Sequence, residues 1–467
     1  MGNIVGSAGA AASRGVSASS LVGSDDGAAA AGQKSRDLAQ RWQEINGQKN
    51  WVGLLEPHDH VLDETLREEI IRYGEFAQST YDAFDCDSYS KYCGSCRYSK
   101  KKLLDTVGLP NRGYEVTRYL YATEDFDSPL KMLKHSNQPA DSVWSTVSNW
   151  IGFVAVCTDE KELRRLGRRD ILVAWRGTVT DLEWLSDIED VLAAPKRGRP
   201  AISLTDDIKV DAGFWSLYNS TKSDSRYNQT SVREQVNKEV LRLLDVYKNE
   251  TDKLSITITG HSLGAALAVL NAYDIAQELQ SSKNLKPTTP SACCTIPMIT
   301  VFSFAGPRVG NDAFRKRFES ELGIKALRMV NINDLVPKIP GVFLNEQSPE
   351  LSDLLAMLPW TYSHVGQELK LNDRDSHSLD PAKATIAHRH NLEQYLHLVD
   401  GYGRYAEHPP HRDITLVNKG CDFLKSVHFI PAQWRQVQNK GLVRNADGTW
   451  SQAPRELEDI PTPPTKV

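Results

Sequence analysis

One pentapeptide carries chemistry in its residue types and in its setting. Gly260-His261-Ser262-Leu263-Gly264 places a serine between two glycines. The bare pattern arises often by chance, so its context has to carry the argument. A β-branched run over 254–259 leads into it, and an Ala/Leu-rich stretch leaves it. A strand that turns sharply into a helix strains the backbone at the serine and lifts its hydroxyl to the carboxyl edge of a sheet. Gly260 and Gly264 leave room for the strand and helix to cross closely. The amide of Leu263, at the start of the helix, points at a developing oxyanion. Ser262 is therefore the candidate nucleophile for acyl transfer, and Leu263 a candidate oxyanion donor.

A serine hydroxyl needs a base, and the base needs a carboxylate to orient it. On a strand–turn–helix scaffold the chain order is serine, acid, histidine. Asp334 ends a β-run in "ALRMVNINDLVPKIP" and precedes a Pro-bounded loop, which fits the acid. Three of the later histidines, His388, His390 and His397, lie in "HRHNLEQYLHLVDG". His390 ends a loop just before a helix that starts near Leu392, so it can reach across to Ser262. His397 lies inside that helix and is the alternative base, or else packs or caps. A metal cluster of these three histidines lacks a clearly spaced acidic partner.

The second oxyanion donor should follow another strand. "DILVAWRGTVTDLEWL" supplies a β-run ending at Trp175, then a turn at Arg176-Gly177-Thr178. The Thr178 amide is the candidate donor, and Arg176 braces the turn through its guanidinium. "DLEWLSDIEDVL" comes next with helical spacing and reads as a lid or as a packed helix.

These residues need a scaffold, and the hydrophobic pattern predicts one. Short apolar runs at 151–157, 170–175, 254–259, 298–304 and 326–332 alternate with helical stretches at about 231–248 and 263–280. Such runs indicate a buried parallel sheet, and the alternation indicates an α/β domain. Upstream, 36–140 reads as mainly helical with turn-rich inserts. "LDETLREEIIRYGEFAQSTYDAF" sets Leu66, Ile70, Ile71, Tyr73 and Phe76 on one helix face. Cys86, Cys93 and Cys96 lack a second pair at zinc spacing and read as reduced thiols. The expected layout is a Gly/Ala/Ser-rich tail at 1–35, a catalytic domain at 36–432 and a polar tail at 433–467.

Composition narrows the function. A net charge of -5 over 467 residues argues against nucleic acid as the main ligand. No apolar run approaches the roughly 18 residues needed to cross a bilayer. Seven cysteines are an odd and sparse set for a disulfide framework. The N-terminus shows no basic start followed by an apolar core, so no secretory signal is expected. Met1-Gly2 opens like a myristoylation site, but Gly6 stands where Ser or Thr is required. A plastid transit peptide is a second possibility, against which Asp25 and Asp26 count. A flexible cytosolic tail is the expectation. The sequons at Asn219, Asn228 and Asn249 mean little without a secretory signal.

Taken together, these segments resemble the fungal-type, class 3 lipases, in which a strand-ending R-G-[ST], G-H-S-L-G and a late Asp and His occur in this order. More narrowly, the chain resembles the plant phospholipases A1 of class II. "YCGSCRYSKKKLL", "LVAWRGTVTDLEW", "GHSLGAALAVLNAYDIA", "FAGPRVGN", "RMVNINDLVPKIPG" and "HNLEQYLHLVDG" carry the likeness across most of residues 40–430. The resemblance implies an α/β-hydrolase fold with a mostly parallel central sheet and an N-terminal mainly helical extension. It implies Ser262 as nucleophile, His390 as base and Asp334 as its orienting acid. The reaction would remove the sn-1 acyl chain of glycerophospholipids at a membrane or micelle surface. It would need no cofactor or metal. The location would be cytoplasmic, with the long tail leaving a plastid open. A galactolipase or acylglycerol lipase would use the same triad. A non-catalytic signalling scaffold is the other alternative, and a complete Ser262, Asp334 and His390 set speaks against it.

Overall fold

The computed structural model describes residues 38–56, 61–123, 148–179, 201–223, 225, 227–284, 296–340, 361–403, 411–435 and 442–452. The tail expected at 1–35, most of the tail expected at 433–467 and the lid segment expected at 181–192 lie outside the described residues.

Alternation along the strands builds the centre. The strands are β1 (Tyr114–Thr123), β2 (Ser148–Cys157), β3 (Arg169–Trp175), β4 (Leu254–His261), β5 (Met298–Phe304), β6 (Lys325–Asn331) and β7 (Gln367–Leu371). They lie side by side in chain order. β1, β2 and β3 pair antiparallel, and β3 through β7 pair parallel. Leu172, Ala174, Phe302 and Phe304 face one layer, and Ile171, Val173, Ile256, Ile258 and Val301 face the other. A parallel sheet needs both faces covered, which explains why its strands read as continuous apolar runs.

Two sets of helices supply the cover. α1 (Glu64–Asp82) and α5 (Leu392–Gly401) share one core with Phe302 and Phe304. α2 (Ala212–Asn219), α3 (Val232–Val246) and α4 (Leu263–Asn284) share the other with Ile256 and Ile258. Caps fix where these helices begin. The Asp63 carboxylate accepts from the Leu66 amide at the start of α1. Ser231 and Glu234 form a reciprocal capping box on α3.

A buried polar knot fixes α1 on the sheet. Asp170 of β3 is fully buried. Its carboxylate accepts hydrogen bonds from Tyr73 (2.9 Å), Tyr114 (2.7 Å), Ser255 (2.6 Å) and Thr257 (2.7 Å). Those four donors offset the cost of taking a carboxylate out of water. The far end of the same layer is clasped by Arg67 of α1. Its guanidinium donates to the carbonyls of Val399 (2.6 Å), Asp400 (3.0 Å) and Tyr402 (2.9 Å) at the end of α5. Helix C-termini leave such carbonyls without an internal donor.

The five expected strands are present within three residues of their anticipated ends. The expectation of a mainly helical 36–140 needs correction, because Tyr114–Thr123 is a strand of the central sheet. Tyr119 and Tyr121 face one core, and Leu120 and Ala122 the other. That period of two is present in "YEVTRYLYAT". β7 is a further strand outside the expectation. It is the sheet's other edge, with Glu368 and Lys370 alternating against buried Leu369 and Leu371. The C-terminal segment expected as a frayed tail contains a hairpin, Leu442–Arg444 with Trp450–Gln452. Among the described residues, no helix is long and apolar enough to cross a membrane.

Candidate active site

Ser262 follows the last residue of β4 and precedes the first residue of α4. Its φ is 60°, a left-handed value that costs a non-glycine residue free energy. The surroundings hold it there. The Ser262 amide donates to the Phe304 carbonyl at 2.9 Å, and the Ser262 carbonyl accepts from the Ala265 amide at 2.9 Å. The crossing is as close as its glycines imply. A Cβ on Gly260 would lie 2.3 Å from the Gly264 carbonyl oxygen, and one on Gly264 would lie 2.5 Å from that of Trp175. Leu263 opens α4, so helix geometry gives its amide no partner within the helix.

Asp334 lies just beyond β6 and is fully buried. Its Oδ2 accepts from His390 Nδ1 at 2.7 Å and from the Tyr395 hydroxyl at 2.7 Å, and its Oδ1 accepts from the Val336 amide at 3.0 Å. Tyr395 is itself placed by the Asn331 amide, which donates to its oxygen at 3.1 Å. Three donors leave the carboxylate one orientation. His390 stands between a short helix, Ile386–Arg389, and α5, at the loop position expected of the base. His397 does not join it. It is buried inside α5 and its Nε2 meets the Ser376 hydroxyl at 2.8 Å. Burial, with Arg412 and His428 nearby, pushes the His397 pKa down to about 4. His388 instead bonds the Lys383 carbonyl through Nδ1 at 2.6 Å.

Ser262, His390 and Thr178 open onto one pocket of about 580 Å³. The Ser262 hydroxyl makes no hydrogen bond among the described residues. Nucleophile–base contacts in resting hydrolases are commonly long and tighten on the substrate. Thr178 follows the turn at Arg176-Gly177, and Arg176 braces that turn as expected. Its Nε donates to the Trp150 carbonyl at 2.9 Å and its Nη1 to the Gly177 carbonyl at 2.7 Å, while the guanidinium lies 3.8 Å from the Phe84 ring centroid. Burial pulls the Arg176 pKa down to about 10.

Sequence reasoning missed a second layer of the site. His261 Nε2 lies 2.8 Å from the carbonyl oxygen of His390. A carbonyl can only accept, so His261 carries its proton on Nε2. Its Nδ1 must then accept, and the Tyr81 hydroxyl lies 2.8 Å away to donate. Burial and the neighbouring His390 charge hold the His261 pKa well below the ordinary histidine value, which the bond to the His390 carbonyl only partly offsets. The Tyr81 hydroxyl also meets the Gly177 backbone. Burial pushes the Tyr81 pKa up, while Arg176 and that backbone hydrogen bond act against it. One phenol thus links the Gly177 turn, through His261, to the loop that carries His390. The motif contained His261, but nothing in sequence pointed to Tyr81, which lies 180 residues upstream of it.

A strained serine on a strand–helix elbow, facing a buried His–Asp pair across a pocket, defines a serine ester hydrolase of α/β-hydrolase type. Comparison with known proteins makes this narrower. The family model described as Lipase (class 3) matches residues 172–344. Phospholipase A1-Igamma3, chloroplastic, of Arabidopsis thaliana is 47% identical over 90% of this chain and 78% of its own. Phospholipase A1-II 6 of Oryza sativa subsp. japonica is 40% identical over 90% of this chain and 96% of its own. The chain belongs to the plant phospholipase A1 group of the class 3 lipases. The crystal structure of the lipase from Rhizopus microsporus var. chinensis aligns with 66% of this chain and 75% of its own, at 20% identity and a TM-score of 0.36.

Proposed function

We propose that the chain cleaves the sn-1 ester of glycerophospholipids, releasing a fatty acid and leaving a 2-acyl lysophospholipid. The observation that carries this reading is the Asp334–His390 pair at 2.7 Å, whose histidine lines one pocket with Ser262. The names of its relatives, of both class I and class II phospholipase A1, supply the substrate class. His390 Nδ1 is committed to Asp334, so Nε2 is the nitrogen that takes the Ser262 proton. Ser262 Oγ then attacks the ester carbonyl. The amides of Leu263 and Thr178 receive the oxyanion. Collapse expels the lysophospholipid, whose oxygen takes the proton back from His390. Water, activated by the same imidazole, releases the fatty acid from Ser262.

The test is hydrolysis of phosphatidylcholine with different acyl chains at sn-1 and sn-2, read by mass spectrometry of the released acid. Wild type should release the sn-1 acid. Ser262→Ala should lose at least about three orders of magnitude in rate with its fold intact. Ser262-dependent cleavage of a galactolipid or triglyceride alone would move the substrate class and keep the mechanism. Equal activity in the variant would remove Ser262 from it.

For location, the cytoplasmic expectation finds no support, while several relatives carry names that include "chloroplastic". We infer a plastid destination, with residues 1–37 as the import segment. A fluorescent protein carrying residues 1–37 should enter isolated chloroplasts. Its exclusion would return the reading to the cytoplasm.

A further inference from the structure

The segment from Lys425 to Arg435, "KSVHFIPAQWR", packs Ile430 against one core and presents an apolar edge of side chains that neither core uses. Val427 is 71% exposed, Phe429 92% and Trp434 41%. Single exposed apolar residues are ordinary, but three within eight positions are a patch. Pro431 and Ala432 between them are exposed as well.

This edge is built. The chain enters it through Leu424, which bridges Leu379, and through the Lys425 amide, which donates to the Ser378 carbonyl at 3.0 Å. It leaves through the amides of Gln433, Trp434 and Arg435, which donate to the carbonyls of Cys421 (2.9 Å), Asn418 (3.4 Å) and Lys419 (3.2 Å). The Arg435 guanidinium also holds Asp82 of α1. Phe429 has φ 53° and Gln433 φ 47°. Two non-glycine residues held in the left-handed region cost free energy. Collapse of the Phe429 ring onto the core would have offset that cost, yet the ring projects into solvent. The Trp434 indole N–H is satisfied by the Thr415 carbonyl at 2.7 Å, which leaves the rest of the ring for an apolar neighbour.

Place and charge indicate what that neighbour is. Gln433 and Arg435 line the pocket that holds Ser262, so the edge and the pocket share a wall. Within 425–435 there is no Asp or Glu, while Lys425 and His428 are basic and Arg435 is spent on Asp82, in a chain of net charge -5. Apolar tips with basic flanks beside a lipid-handling pocket match the boundary between acyl chains and anionic headgroups. We propose that Val427, Phe429 and Trp434 dock the protein on a phospholipid surface and set the pocket mouth against it. This rests on the reading of the chain as a lipid hydrolase.

The test uses the full chain. Val427→Ser with Phe429→Asn removes the two most exposed of the three tips, and asparagine tolerates the left-handed backbone. Binding is measured by co-sedimentation with vesicles of phosphatidylcholine and phosphatidylglycerol, in a Ser262→Ala background so that lipid is not consumed. The double variant should bind at least about tenfold more weakly, from the apolar area withdrawn. Otherwise wild-type enzyme carrying the two substitutions should cleave a soluble short-chain ester at the wild-type rate. Equal vesicle binding with and without the tips overturns the proposal, and so does a parent protein that does not sediment with vesicles. Equal binding together with a dimer that the variant disperses would assign the edge to a second copy and overturn it too. Tip-dependent binding in a protein that hydrolyses no ester would keep the docking edge and sink the hydrolase reading instead.

Discussion

His261 stands between the serine it precedes and the histidine it holds. Its ring centroid lies 4.6 Å from that of His390. A charged His261 there would oppose the imidazolium that forms when His390 takes the serine proton. Burial keeps it neutral, and the Tyr81 hydroxyl occupies the nitrogen that would otherwise accept a proton. On the proposed mechanism, Tyr81 positions both the His390 loop and the Thr178 turn. Tyr81→Phe should lower kcat about tenfold with KM unchanged, the scale of one buried hydrogen bond. It should also raise the pH at which kcat falls on the acid side, because His261 loses the donor that blocks Nδ1. Steady-state kinetics on a soluble ester from pH 5 to 9 read both effects, and an unaltered kcat and acid limb would reduce Tyr81 to packing. The expectations for Ser262, Asp334 and His390 could be formed because each sits in a distinctive local context: an elbow, a strand end and a loop before a helix. Tyr81 and Tyr395 were not. Each touches its partner across a sequence gap, 180 residues for Tyr81 and His261 and 61 for Tyr395 and Asp334, and no periodicity records such a meeting.

At the scale of elements, the strands that the sequence announced are those buried on both faces. β2 through β6 are buried runs of ten residues or fewer, so a strand is the assignment that fits them. β1 and β7 escaped because edge strands mix charge into the pattern. Glu115 and Arg118 interrupt the first, and Glu368 and Lys370 the second. The helical reading of 36–140 also overextended a true signal. The amphipathic face of α1 is genuine, with Leu66, Ile70, Tyr73 and Phe76 all buried. By Tyr114 the apolar period has changed from 3.6 to 2, and a helical template laid over that stretch hides the strand. Asp170 shows what holds α1 to the central sheet. It bonds Tyr73 on that helix, Tyr114 on β1, and Ser255 and Thr257 on β4, so one carboxylate sets the helix that delivers Tyr81 against the strand that delivers Ser262.

At the scale of the whole molecule, acid is the predicted weakness. His261, His364 and His397 are all shifted below the ordinary value of 6.5, His397 to about 4. Burial comes first among the causes for each. A histidine with a depressed folded-state pKa adds stability that is present above 6.5 and is lost as pH falls toward the folded value, because the unfolded chain binds the proton first. Urea midpoints should therefore fall steadily between pH 6.5 and 4, with His397 contributing on the order of 1–3 kcal/mol. His397→Gln, which keeps a partner for Ser376, should flatten that slope. A variant as acid-labile as its parent would show that His397 does not carry the effect.

The Arg67 clasp reaches further than stability. It joins residue 67 to carbonyls at 399, 400 and 402, while Arg435 reaches back to Asp82. The helix that carries Tyr81 is therefore fastened by parts of the chain that a ribosome makes more than 300 residues after it. His390 itself lies beyond four-fifths of the 467 residues. A polypeptide still being synthesised lacks first its base and then its fastening. On the proposed mechanism, cleavage becomes available only after residue 390 has been added, so everything upstream of the base is made before the site can work.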